Sequence, residues 1–179
     1  GSTTVCSESN TSEPYRISDM AHSGSSIFQK TTEFLNDHLV APYFIQLHGF
    51  KHSEGDPYLI LSNGTGSASS PDLFPAFRTE VVNRTSALST NEVCIVHEDF
   101  ENLPKESKCY KLRAFSNTQG RYINGSKQNP CDDPSSSPSG RFFHIEQEKE
   151  LFRRNVSGWN IMAGALAAVF DCSVNNGTY

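Results

Sequence analysis

The sequence predicts an α/β fold: a single domain built on a mixed or mostly parallel sheet with helices on both faces. Three observations point there. Short apolar runs of strand length alternate with longer segments that carry apolar residues at helical spacing. The 179 residues suit one domain of ordinary size, able to bury a core. Three histidines, His48, His97 and His144, fall at or near the ends of predicted strands, where the sites of such sheets lie.

Residues 1–14 are polar and read as a flexible arm, with 15–179 as the domain. "SGSSIFQKTTEFLNDHLV" predicts the first helix. Ser25 or Ser26 caps it, and Ile27, Phe28, Phe34, Leu35 and Leu39 form its apolar stripe. "PYFIQLHGF" predicts a buried strand ending near His48, "KHSEGDP" a loop, and "YLILSNGTG" a second strand entering a Gly-rich turn. "SPDLFPAFRTEVVNRT" reads as a helix with Pro75 near its start, and "EVCIVHED" as a third strand. "YKLRAFSNTQGRYING" predicts a short strand and then a loop, which "SKQNPCDDPSSSPSG" extends as a long polar loop at 126–140. "RFFHIEQ" is the last strand. "KELFRR" and "GWNIMAGALAAVF" are helical, with a break near "NVSG". The longest apolar run falls short of the ~18–20 residues that span a membrane, so no membrane span is expected.

A net charge of −5 with no basic stripe argues against a nucleic-acid partner. Asn-x-Ser/Thr sequons occur at Asn10, Asn63, Asn83, Asn124, Asn155 and Asn176, an enrichment that predicts a secreted glycoprotein. The five cysteines form no CxxC pair, so a structural zinc cluster is not expected. In a secreted chain some should pair. Cys6 with Cys172 would staple the termini, and Cys109 with Cys131 would close a loop. That leaves Cys94 within "VCIV".

The residues that could carry chemistry begin with His144 and Glu146. They stand two apart on a predicted strand and so share a face. His48, followed by Gly49, suits a metal ligand, because glycine lets backbone approach closely. A catalytic zinc takes three protein ligands and keeps one position open. His52, Glu54 and His97 are further ligand candidates near the same strand ends. Glu146 beside such an ion could serve as general base. Arg121 could grip a substrate carboxylate and Asn117 orient a carbonyl. His22 is a ligand or acid candidate, and Asp19, three residues earlier, could hold its second nitrogen. No GxSxG, HExxH, P-loop or GxGxxG is present.

"FIQLHGF", followed far downstream by "GRFFHIEQEKELFRR", resembles the zinc-dependent carboxypeptidase-like hydrolases, nearest the branch of poly-γ-glutamate hydrolases and N-formylglutamate amidohydrolases. The resemblance runs in short islands between residues 40 and 155. It implies a zinc-peptidase-like sheet, Zn2+ as cofactor with His48 as first ligand, and Glu146 as catalytic base ahead of Leu151-Phe152-Arg153. Asn117 and Arg121 would lie on substrate carboxylates. The family's second ligand is a glutamate three to five residues after the first histidine. Here His52 and Glu54 stand four and six residues on. His97, His144 or His22 would complete the set.

The expectation is therefore a secreted, monomeric zinc hydrolase of amide or peptide bonds, acting on a small acidic peptide or acylated amino acid. Two other readings stand beside it. One is a non-catalytic secreted glycoprotein on a decayed hydrolase scaffold. The other is a phosphate-ester hydrolase with Arg16, Arg121, His22 and His48 around the phosphate.

Overall fold

Strict alternation of apolar side chains decides how the sheet is buried. We describe a computed structural model of the chain, covering Cys6 and residues 19–135 and 137–170. Its strands are β1 (Phe44–Phe50), β2 (Leu59–Ser62), β3 (Val93–Ile95) and β4 (Phe142–Glu148). They lie in the order β1-β4-β2-β3. β1 is parallel to β4 and β2 is parallel to β3, whereas β4 and β2 run antiparallel. The fold is α/β with a mixed, mostly parallel sheet, as predicted.

The helices are α1 (Ile27–His38), α2 (Phe74–Asn83), α3 (Val96–Asp99), α4 (Lys108–Lys111), α5 (Thr118–Ile123) and α6 (Val156–Val169). A 3-10 turn at Met20–His22 precedes α1, and a π-helical turn at Lys149–Arg153 precedes α6. Leu59, Leu61, Val93, Ile95, Phe143 and Ile145 point to one face and meet Phe74, Phe77 and Val81 of α2 and Ile161, Met162 and Ala165 of α6. Each of these side chains other than that of Ala165 contributes roughly 1.5–3 kcal/mol. The opposite face carries a smaller cluster of Phe50, Ile60, Val96 and Cys109. Beside it stands a polar district: Gln46, His48, His144 and Glu146. α5 packs over this second face.

Four sequence expectations change. The helix over 27–38 forms and Ser26 caps it, its hydroxyl accepting from the Gln29 amide. It buries Gln29, Thr32 and Asn36, however, while Ile27, Phe28, Phe34 and Leu39 stay exposed. A buried amide network claims the polar side: Gln119 Nε2 donates to Gln29 Oε1 at 2.8 Å. The third strand ends at Ile95, and His97 rides the helical turn that follows. The predicted strand and loop over 110–125 are instead α4 and α5. Ser107 and Asn117 cap them, accepting from the Tyr110 and Gly120 amides. The cysteines pair as Cys6–Cys131 and Cys94–Cys109. Cys94 points to the α4 side of β3, where Cys109 meets it. Cys172 lies outside the described residues. Cys6, in the predicted arm, is buried and its amide donates to the His22 carbonyl. The two disulfides fit an oxidising compartment, and no helix among the described residues is long and apolar enough to cross a membrane.

Gly120 fixes how closely α5 approaches the sheet. A Cβ there would stand 2.5 Å from the fully buried Phe142 ring. Alanine is the better helix former by about 1 kcal/mol, but overpacking a filled core costs typically 1–3 kcal/mol. Gly120→Ala is expected to lower stability by up to about 2 kcal/mol, read as a lower urea midpoint at unchanged slope.

Candidate metal centre

The register of the sheet builds the site. β4 is flanked on both sides, so its side chains have little freedom. His48 of β1 lies opposite Glu146, and Gln46 opposite His144. Because side chains alternate, His48, His144 and Glu146 emerge on one face as neighbours. One donor atom from each of the three lies within 4.8 Å of the others. The His48 and His144 rings are 4.5 Å apart between centroids. His144 Nε2 approaches Glu146 Oε1 at 3.6 Å, too far for a hydrogen bond. Donors around a tetrahedral zinc sit about 3.3 Å apart, given bonds of ~2.0–2.1 Å. The three groups would thus draw together by at most about 1.5 Å.

Two further observations suit an ion. His144 is buried and its Nδ1 has no hydrogen-bond partner among the described residues. Such orphaned atoms are uncommon in folded chains and call for a reason. His48 Nε2 stands 3.3 Å from Gln46 Oε1. With that nitrogen donating, Nδ1 presents its lone pair, the outer hydrogen bond that orients a ligating imidazole. Gln46 is itself held, since Asn117 Nδ2 donates to its Oε1 at 2.7 Å and its own Nε2 donates to Gln119 at 3.3 Å. A chain of amides from α1 and α5 therefore stands behind His48.

Charge follows burial. Burial of the imidazole, with His22 nearby, lowers the pKa of His48, while Asp19 works the other way. His144 is lowered well below the usual histidine range, by burial first and then by His48 and His22. Both rings are thus held neutral, the form that binds metal. Burial pushes Glu146 up to about 7, against the opposing pull of Arg153.

The three groups open into a cavity of about 240 Å³, whose walls include Asp19, His22, Lys111, Ser116 and Asn117. The sequence pairing of Asp19 with His22 is present: Asp19 Oδ2 lies 3.0 Å from His22 Nδ1. On the other side of the ring, Nε2 lies 3.0 Å from Ser116 Oγ. Sequence reasoning missed Ser116, Lys111 and Gln46. The helix capped by Asn117 was read as a loop, so nothing placed Ser116 against the Met20–His22 turn.

Other sequence candidates lie elsewhere. Arg121 is buried, donating from Nε to the Phe115 carbonyl at 2.8 Å and from its terminal nitrogen to the Cys131 carbonyl. It braces the disulfide loop and does not line the cavity. Asn117 does, but its Oδ1 caps α5 and its Nδ2 holds Gln46. His97 bonds Asp72 at 2.8 Å on α3, away from the triad. His52 bonds the Asp56 carbonyl and stacks on Tyr58, and Glu54 is an exposed loop residue. Gly49 serves a different end from metal approach. A Cβ there would meet the Arg153 guanidinium, so the missing side chain makes room for the arginine whose charge Glu146 feels. The antiparallel pairing of β2 with β4 also means that no single edge of the sheet collects the strand ends, and the site lies on its face.

Among the sequons, Asn83 and Asn155 are exposed. Asn63 is 1% exposed, with both ends of its amide hydrogen bonded to Thr65 and Ser67, which leaves no room for a glycan in the folded chain. Asn124 is half-buried and binds the Asn63 carbonyl and Ser139. Asn10, Asn176 and Arg16 lie outside the described residues.

Comparison with protein families, with characterised proteins and with solved structures finds no match for this chain.

Proposed function

We propose that this chain is a metal-dependent hydrolase of amide bonds, with a divalent ion, zinc by choice of ligands, held by His48, His144 and Glu146. The observation that carries the reading is the convergence of two neutral imidazoles and a carboxylate at the wall of one cavity. Two histidines and a glutamate form a ligand set of catalytic zinc, which keeps an open position for water. A bound ion would lower the pKa of that water and polarise a substrate carbonyl. Glu146 then serves as a ligand, not as the base that the resemblance implies.

The cavity is smaller than the ~300–1,000 Å³ of sites for drug-sized molecules. It suits an acyl-amino acid or the end of a peptide. Lys111 at its wall favours an acidic substrate. The disulfides and exposed sequons favour an extracellular setting. The phosphate-ester reading has weaker support, because no arginine among the described residues lines the cavity and Arg121 is engaged elsewhere. The exposed apolar side of α1 favours a binding role as the second reading.

Protein dialysed against zinc and then metal-free buffer is expected to retain one equivalent per chain by elemental mass spectrometry. It should hydrolyse members of a panel of N-formyl and N-acetyl acidic amino acids and γ-glutamyl peptides. A chain that stays empty after zinc exposure rejects the metal reading. Zinc uptake without turnover of any panel member favours the binding role.

A further inference from the structure

Holding the ion engages Glu146, so the proton of the attacking water needs another acceptor. This question rests on the metal-hydrolase reading. The other titratable groups on the described cavity wall are Asp19, His22 and Lys111. Lys111 is exposed, and the lysine head group is a donor with no acceptor capacity. Asp19 is turned towards the fold. Its Oδ1 accepts from the Ala21 amide at 3.0 Å and its Oδ2 faces His22 Nδ1. A carboxylate can only accept, so this contact favours the tautomer with the proton on Nδ1, in which Nε2 is the acceptor. Nε2 in turn faces the Ser116 hydroxyl.

We propose that Asp19, His22 and Ser116 form a proton relay serving the water at the metal centre, with His22 as proton acceptor and Asp19 as its positioning residue. The step balances. The water proton passes to Ser116 Oγ as the Ser116 proton passes to His22 Nε2, and the water oxygen bonds to the carbonyl carbon. When the C–N bond breaks, the proton on His22 goes to the departing amine nitrogen. The products are a carboxylic acid and an amine.

The same order of groups could instead activate Ser116 as a nucleophile. The structure disfavours this. Ser116 lies between α4 and α5, not on a strand-to-helix turn, and a serine nucleophile needs free backbone amides beside it to hold the oxyanion. Here the Asn117 amide donates to the Ala114 carbonyl at 3.1 Å. The relay is also well anchored. Cys6 binds the His22 carbonyl and is bridged to Cys131, and the Thr118 hydroxyl binds the Ala21 carbonyl at 2.9 Å.

The test compares zinc-loaded wild type, His22→Ala and Asp19→Asn on p-nitrophenyl acetate, with zinc affinity measured by competition against a chelating dye. The expected result is unchanged zinc affinity in both variants. The value of kcat should fall about 100-fold or more in His22→Ala, in line with general base catalysis, with KM little changed. Added imidazole, after subtraction of its own reaction with the ester, should restore part of the rate in His22→Ala alone. Asp19→Asn keeps the ring and should show a smaller loss without rescue. Loss of zinc affinity in His22→Ala would make His22 a ligand and overturn the relay while sustaining the metal reading. Wild-type rates in His22→Ala, or absence of rescue, overturn it too. Labelling of Ser116 by a fluorophosphonate in metal-free protein would assign Ser116 as nucleophile instead. A wild type that binds no zinc overturns both the hydrolase reading and the relay; one that binds zinc without hydrolysing the ester overturns the relay, while the acidic amide panel decides the hydrolase reading.

Discussion

His144→Ala is expected to remove zinc binding while leaving the fold intact. Losing even an outer hydrogen-bond partner of a ligand costs roughly 10–100-fold in affinity, so losing one of three ligands should cost more than that. His144 is the right residue to remove because its position is the most constrained. It stands mid-strand in β4, between β1 and β2, with its side chain 5% exposed. His48 and Glu146 alone would leave a two-ligand site. The measurement is urea unfolding with and without zinc. An ion that binds only the folded chain stabilises it by about 4 kcal/mol at a thousand times its dissociation constant. Wild type should show such a rise and the variant none. Without metal, the substitution opens a cavity but also removes a buried nitrogen that lacks a partner. These opposed effects should hold the change to about 1–2 kcal/mol. A zinc-dependent rise that survives in His144→Ala would place the ion elsewhere.

The strands and the triad were legible in the sequence for a simple reason. Strand periodicity is two, so "FFHIEQ" and "FIQLHGF" already place His144 with Glu146 and Gln46 with His48. What periodicity cannot supply is the pairing of β1 with β4 across nearly a hundred residues, which brings His48 opposite Glu146. The same limit explains the misses. Arg121 looked like a substrate clamp because its exposure was inferred from a predicted loop. Asn117 instead starts a short helix, which turns Arg121 inward onto the Phe115 and Cys131 carbonyls. α1 was oriented by its apolar residues, yet the surface it meets is an amide network, and the polar face won. Cys94 was left over within "VCIV" because the sequence does not show which segment packs beside β3. Its outer neighbour is α4, with Cys109.

Glu146→Gln should make the metal-free chain more stable, and only above a certain pH. Burial pushes the Glu146 carboxyl from 4.5 to about 7, with Asp19 adding to the rise and Arg153 opposing it. A carboxyl that binds its proton more tightly when folded favours the fold while it is protonated. Below about pH 4.5 both states hold the proton and that contribution is fully present. Between 4.5 and 7 the unfolded chain ionises and the folded one does not, so stability falls as pH rises. Above 7 both are ionised and the loss is complete, about 3 kcal/mol for a rise of this size. The variant cannot ionise at this position. The stability difference between variant and wild type is therefore expected to be small at pH 4.5 and to grow towards about 3 kcal/mol by pH 8. His48 and His144 act in the opposite sense. Their folded pKa values lie below the ordinary 6.5, so they lose stability as pH falls through that range. Both chains carry them, and they cancel in the difference. Zinc should reverse the order, because an ion that needs the carboxylate stabilises wild type and not the variant. Urea midpoints at pH 5 and pH 8, each with chelator and with zinc, contain the whole test. Equal midpoints with chelator at pH 8 would mean that Arg153 neutralises Glu146 fully and that the carboxylate is not held ready for an ion.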